Sequence, residues 1–226
     1  MQAKSLPWQR WITHVLLAGS IGVLYVLVRR LFPVGKQGEI LLIGLGYLSL
    51  FLVGVTLLIG PLNLLRQRRN PVNLDLRRDI GIWAGITGCL HVLLVLRGSL
   101  RDKRILLYFL RQGCCGYTPL LSVYGLSNDA GLFATLFLLL LLALSNTFSL
   151  RLLKGKRWKW LQRSTYLLAL LALAHTFGFQ YLNLRSPLWF ASVFGLSGVV
   201  LLCQSWGIAL MLIRRGRARR AAESIL

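Results

Sequence analysis

Six long apolar runs, separated by short stretches rich in basic residues, define the pattern of this chain. A membrane-spanning helix needs about 20 predominantly apolar residues, and the runs are of this order. They predict six spanning helices, at approximately Ile12–Val28, Glu39–Leu62, Ile80–Leu96, Leu132–Leu150, Thr165–Leu182 and Leu188–Ile213. The pattern therefore predicts an all-α, polytopic membrane protein, a six-helix bundle in which residues 1–226 form a single integral membrane domain.

Charge supports a membrane setting and predicts an orientation. The chain has 27 Lys and Arg against 6 Asp and Glu. In a soluble protein this excess would suggest nucleic acid, but here the charges lie between apolar runs, so we expect the lipid bilayer and no nucleic acid as partner. Under the six-helix model, 18 of the 27 basic residues share a side with both termini. The positive-inside rule then predicts cytoplasmic termini, in a bacterial inner or plasma membrane or a thylakoid-type membrane.

Two histidines lie deep within predicted helices three and five. His91 follows Asp79 by 12 residues and His175 follows Arg163 by 12, so on parallel helices both imidazoles are expected at about 18 Å depth. An ionisable side chain in a membrane helix is a functional-site hypothesis by default. Small residues near both histidines would leave room for a flat, bulky group. They are Ala84, Thr87, Gly88, Ala172 and Gly178. The alternative is helix packing, because small residues are common at membrane helix interfaces.

The chemistry of two facing imidazoles favours haem. A catalytic zinc normally has three protein ligands, and a facial iron site needs a carboxylate; at this depth only Cys89 is near, on another part of the helix. Haem iron needs only axial ligands, and a porphyrin fits inside a helix bundle. We therefore expect a non-covalent haem b between helices three and five, with His91 and His175 as its iron ligands. The five small residues would contact it, and no catalytic residue is predicted.

Two segments carry a resemblance to a known family. RRDIGIWAGITGCLHVLLV and SNTFSLRLLKGKRWKWLQRSTYLLALLALAH resemble the ferric reductase-like transmembrane domain, and within it the YedZ/MsrQ type, the haem-binding membrane subunit of the bacterial methionine sulfoxide reductase system. The resemblance covers about residues 75–182. It implies that the histidines at positions 91 and 175 are axial haem ligands. It also implies an extracytoplasmic acceptor, a methionine sulfoxide reductase in that system.

One departure from the family pattern concerns a second haem. The family usually has a further histidine 13 residues before the one matched by His175, where this chain has Gln162. Arg77 and Arg78 occupy the corresponding end of helix three, and His14 is the remaining imidazole. Because glutamine and arginine are not ordinary haem ligands, we expect one haem b per chain. A quinone or FMN bound between helices would then bridge the gap to the inner surface.

Absent motifs narrow the function. No P-loop and no strand-associated G-x-G-x-x-G is present, and the few residues after Ile213 leave no room for flavin and nicotinamide domains. We expect an electron-transfer component of an oxidoreductase system, rather than a complete enzyme, with a quinol, flavin or reductase as donor. The alternatives are a stand-alone quinone- or metal-reducing cytochrome b and a haem-free membrane scaffold or assembly subunit. In the outer loop, RILLYFL is expected to form an interfacial helix, and a redox or partner role for the adjacent Cys114 and Cys115 stays open.

Overall fold

The structure is a computed structural model, and it describes residues 7–65, 74–101, 105–113, 116–183 and 187–223. These residues form seven α-helices, one short 3-10 helix and one β-hairpin. The helices are α1 (Pro7–Leu31), α2 (Val34–Leu65), α3 (Leu74–Arg101), α4 (Val123–Leu144), α5 (Thr147–Gln162), α6 (Ser164–Leu182) and α7 (Pro187–Glu223). Six segments are long and apolar enough to cross a membrane, with α5 and α6 counted as one segment. The predicted all-α, multi-pass fold is confirmed.

The predicted bounds of the fourth helix were wrong. The helix begins at Val123 rather than Leu132 and ends at Leu144 rather than Leu150. Its start is fixed by Ser122, whose hydroxyl accepts a hydrogen bond from the Gly125 N–H at 3.2 Å, as an N-cap residue does. The polar residues of the first turns were excluded by hydropathy, although their side chains bond back to helix carbonyls. Hydropathy therefore missed the first nine residues of the helix.

The segment expected to form an interfacial helix folds differently. Ile105–Tyr108 is a single 3-10 turn, and the chain then forms two antiparallel strands, β1 (Leu110–Gly113) and β2 (Gly116–Pro119). The apolar run is too short for a stable isolated helix. Its last residue, Leu110, begins β1 and pairs with Pro119 of β2. Cys114 and Cys115 lie outside the described residues.

Two helix pairs form the centre of the molecule. α2 packs along α3 and α4 packs along α6, while contacts of α3 with α4 and of α2 with α6 join the pairs. The buried core is apolar and comes from all four helices. It comprises Leu52, Val53, Ile59, Ile80, Ala84, Ala134, Leu138 and Leu168. α1 packs outside this core against α2 and α3, and α7 packs mainly against α2. The space between the two helix pairs is therefore where a shared site can form.

Candidate functional site

His91 and His175 lie side by side between the two helix pairs. His91 projects from α3 and His175 from α6, which is the predicted fifth helix. Their ring centroids are 6.3 Å apart and their ring planes are inclined by 84°. Both side chains are partly buried. The structure thus brings together the two residues that the sequence singled out.

Each imidazole is held by one backbone carbonyl of the neighbouring helix. His91 Nδ1 lies 2.8 Å from the Leu42 carbonyl oxygen on α2, and His175 Nδ1 lies 2.8 Å from the Ser127 carbonyl oxygen on α4. A carbonyl oxygen only accepts, so Nδ1 must carry the proton and donate it in both bonds. In the neutral tautomer this leaves a lone pair on Nε2, the atom through which histidine can ligate a metal.

The small residues before His91 lie in helix contacts. Thr87 is completely buried, and its hydroxyl donates to backbone carbonyls of its own helix, including that of Ala84 at 3.1 Å. The Ser49 hydroxyl of α2 donates to the same Ala84 carbonyl at 2.8 Å. A Cβ placed at Gly88 would lie 2.7 Å from the side chain of Leu138 on α4. These three residues allow α3 to approach α2 and α4 closely.

The small residues near His175 have similar surroundings. A Cβ placed at Gly178 would collide with the Ser127 hydroxyl of α4. Ala172 packs against the apolar core, and its carbonyl accepts a hydrogen bond from Thr176 at 2.8 Å. Helix packing therefore accounts for the contacts of all five small residues. A role for them in contacting a cofactor stays a prediction.

An ion pair near the start of α3 was not predicted from the sequence. Asp79 is 1% exposed, and its two carboxylate oxygens accept hydrogen bonds from Arg10 Nη2 and Nε of α1, at 2.7 and 3.0 Å. Trp83 Nε1 donates to His14 Nδ1 at 2.9 Å, while His14 Nε2 lies 3.7 Å from Asp79. His14 is thus occupied in joining α1 to α3. The sequence feature that could have revealed this contact is an acidic residue, Asp79, within an apolar helix. The predicted third helix began one residue later, at Ile80, and so excluded it.

A second missed contact links the helix pairs. Gln180 is 1% exposed and lies one turn and a half beyond His175 on α6. Its amide donates a hydrogen bond to the Tyr47 hydroxyl of α2 at 2.6 Å. A buried amide within a membrane helix was visible in the sequence, although its partner was not.

A row of aromatic rings leads away from the histidines. The His175 ring centroid lies 5.0 Å from that of Phe179, and Phe179 lies 5.9 Å from Tyr124. Tyr124 stacks on Tyr108 of the 3-10 helix at 6.0 Å. The rings therefore connect the histidine pair with the segment that carries the β-hairpin.

The donor set limits which metal centres the site can form. Among the residues that the structure describes, no three His, Cys, Asp or Glu side chains lie together as a potential metal site. Two imidazoles alone match a centre whose remaining ligands come from a macrocycle.

Gln162, where the family usually has a histidine, is the last residue of α5. Its backbone carbonyl accepts a hydrogen bond from the Thr165 hydroxyl at 2.7 Å.

Comparison with models of known protein families identifies the family of this chain. Residues 45–173 match the family model described as ferric reductase like transmembrane component. This range covers more than half of the chain; it includes His91 and ends two residues before His175. No curated protein and no solved structure matched the chain. Family membership implies a membrane electron-transfer subunit. The chain belongs to the ferric reductase like transmembrane component family.

Proposed function

We propose that this protein is a membrane haem b subunit of the YedZ/MsrQ type, in which His91 and His175 are the axial ligands of one non-covalent haem. The family supplies the coarser role of a membrane electron-transfer subunit. The cofactor, its ligands and the subtype are what this proposal adds.

The observation that carries the proposal is the geometry of the two imidazoles. If both imidazoles held one metal ion at metal–nitrogen distances of about 2.0–2.1 Å, with roughly 1.1 Å from each nitrogen to its ring centre, their ring centroids would lie about 6 Å apart. The centroids of His91 and His175 are 6.3 Å apart. Both rings also have Nδ1 committed to a carbonyl, which leaves Nε2 as the ligating atom. The residues present therefore fit a bis-histidine haem, which when bound supplies a one-electron carrier.

The aromatic row favours one exit for the electrons. Tunnelling is faster through closely packed atoms than across a gap, and Phe179, Tyr124 and Tyr108 lie in successive contact from His175 outward. We place the β-hairpin on the extracytoplasmic side, because 18 of the 27 basic residues lie on the side of the termini. Electrons would then leave toward an extracytoplasmic acceptor, for which the family resemblance suggests a methionine sulfoxide reductase. A quinol, a flavin or a reductase would supply them from the inner side.

The residues in the cytoplasmic half of the molecule support a single haem per chain. A second haem there would need two further ligands, yet His14 already accepts from Trp83 and faces Asp79, and Gln162 replaces the family histidine. A quinone or FMN bound between helices would be the bridge to the inner surface.

Absorbance spectroscopy and haem extraction test this proposal directly. We expect protein purified after haem-sufficient expression to show a low-spin haem b spectrum with one haem per chain. His91→Ala and His175→Ala should each lose most of the haem, while His14→Ala, the matched control, should retain it. Full loading of both site variants would disprove ligation, and two haems per chain would disprove the stoichiometry. A wild-type protein without a Soret band would instead favour the haem-free scaffold.

A second measurement tests the proposed electron acceptor. The protein should co-purify with an extracytoplasmic reductase of its own organism and transfer electrons to it from a quinol or a reduced flavin. Haem-loaded protein that reduces quinones or metal ions but transfers no electrons to such a reductase would identify a stand-alone cytochrome b.

A further inference from the structure

The two histidines are held by the same local arrangement, repeated in each helix pair. His91 donates to the carbonyl of Leu42, and Gly46 lies four residues further along α2. His175 donates to the carbonyl of Ser127, and the residue four further along α4 is again a glycine, Gly131. The same spacing of carbonyl and glycine thus occurs on both sides of the site.

The spacing has a direct structural meaning. In an α-helix the carbonyl of residue i accepts a hydrogen bond from the N–H of residue i+4, so each glycine N–H and one imidazole share a single carbonyl. A Cβ at Gly46 would lie 3.1 Å from His91 Nδ1, and a Cβ at Gly131 would lie 2.5 Å from His175 Nδ1. Each ring therefore occupies the space that a side chain at the glycine position would fill.

We propose that Gly46 and Gly131, with the carbonyls of Leu42 and Ser127, form two copies of one positioning element, the histidine cradle. The proposal rests on the proposed function, since it concerns how the two axial ligands are held. Each cradle fixes the Nδ1-protonated tautomer of its histidine and sets the plane of the imidazole ring. It also turns Nε2 away from the helix that supplies the carbonyl. A hydrogen bond at Nδ1 also increases the basicity of the ligating nitrogen, so the cradles would lower the reduction potential of the bound group.

Helix packing is the competing explanation for these glycines, and their nearest neighbours argue against it. At Gly46 and Gly131 the three atoms nearest to an added Cβ all belong to a histidine ring. At Gly85, by contrast, all three belong to the Leu142 side chain. The two cradle glycines therefore accommodate the proposed ligands themselves, whereas Gly85 accommodates an ordinary apolar neighbour.

Alanine substitution at the cradle glycines tests the proposal in the haem-loaded protein. Gly131→Ala should weaken haem affinity by about 10- to 100-fold, the usual effect of disturbing the residues around a metal ligand. Gly46→Ala should have a smaller effect because its Cβ is less crowded. Both should alter the low-spin electron paramagnetic resonance signal and the midpoint potential. Gly60→Ala is the control, since its Cβ would meet nothing within 4 Å. Haem-loaded Gly131→Ala protein indistinguishable from this control would overturn the cradle and leave the proposed function intact.

A cycle on the haem-free protein covers the case in which Gly131→Ala folds poorly. If the added methyl group clashes with the imidazole, Gly131→Ala should lower the melting temperature when His175 is present. In the His175→Ala background the same substitution should leave the melting temperature unchanged. Equal losses in both backgrounds would identify Gly131 as a packing residue and overturn the cradle. Because this cycle needs no haem, it separates failure of the cradle from failure of the proposed function.

Discussion

Removal of Arg10 should destabilise the protein far more than its place near one end of the chain suggests. Arg10 makes two hydrogen bonds to Asp79, whose side chain is 1% exposed. Arg10→Leu leaves that carboxylate buried beside His14 without its main counter-charge. Breaking a buried ion pair by removing one partner costs about 3–5 kcal/mol. Because the Arg10 side chain is itself 35% exposed, water screens part of the pair, and we expect about 3 kcal/mol, the lower end of that range.

Thermal unfolding of the detergent-solubilised protein measures this effect. For a chain of this size a loss of 1 kcal/mol lowers Tm by about 2–4 °C, so Arg10→Leu should lower it by about 6–12 °C. Arg29→Leu is a matched control on the same helix, because Arg29 bonds to Gln37 in an exposed position, and exposed polar pairs contribute about 0–1 kcal/mol.

The double variant decides between charge pairing and simple packing. Replacement of both partners of a buried pair by apolar residues is often neutral or stabilising, so Arg10→Leu combined with Asp79→Leu should recover most of the lost stability. A Tm for Arg10→Leu equal to that of Arg29→Leu would refute the reasoning. So would a double variant whose loss is the sum of the two single losses.

Three further outcomes are expected. Reporter fusions after Lys156 and after Tyr117 should read cytoplasmic and extracytoplasmic, respectively; the reverse assignment would contradict the charge argument. Phe179→Leu should slow, several-fold, the oxidation of the reduced, reconstituted protein by externally added ferricyanide. Phe177→Leu is the control and should leave the rate unchanged, because the Phe177 ring contacts α7 instead. Equal rates for the two variants would contradict electron transfer through the aromatic row. Gln180→Leu should cost about 0.5–1.5 kcal/mol in thermal unfolding, because it removes the hydrogen bond that links α6 to the Tyr47 hydroxyl of α2. An unchanged Tm would show that this bond contributes little.

The sequence predicted the number and type of the membrane segments because the hydrocarbon core demands long apolar helices. It predicted the bounds of α4 poorly, since Ser122 sets the start through a hydrogen bond to Gly125, and hydropathy does not measure capping. Polar residues such as Ser127 and Asn128 lie inside that helix because their side chains bond to its own carbonyls.

The histidine pair was predictable for a related reason. The rise per residue of a helix is constant, so equal spacing from Asp79 and Arg163 predicted equal depth for His91 and His175 without knowledge of the packing. The structure places the two ring centroids 6.3 Å apart. The partner of Asp79 was not predictable in this way. Two apolar helices carry no sequence signal of which faces meet. The contact between Arg10 and Asp79 depends on the packing of α1 against α3, which the sequence does not show.

The glycines show most clearly where sequence reasoning ends. Gly88 and Gly131 have the same appearance in the sequence, a small residue within an apolar helix, and both are compatible with close helix packing. Only three-dimensional contacts separate them, since a Cβ at Gly88 would meet Leu138 and Ser49, whereas a Cβ at Gly131 would meet the His175 ring. The carbonyls that accept the imidazole protons belong to every residue type and so leave no trace in the sequence. Equal spacing within two helices therefore predicted that the two histidines lie together, whereas the backbone that orients their rings is visible only in the structure.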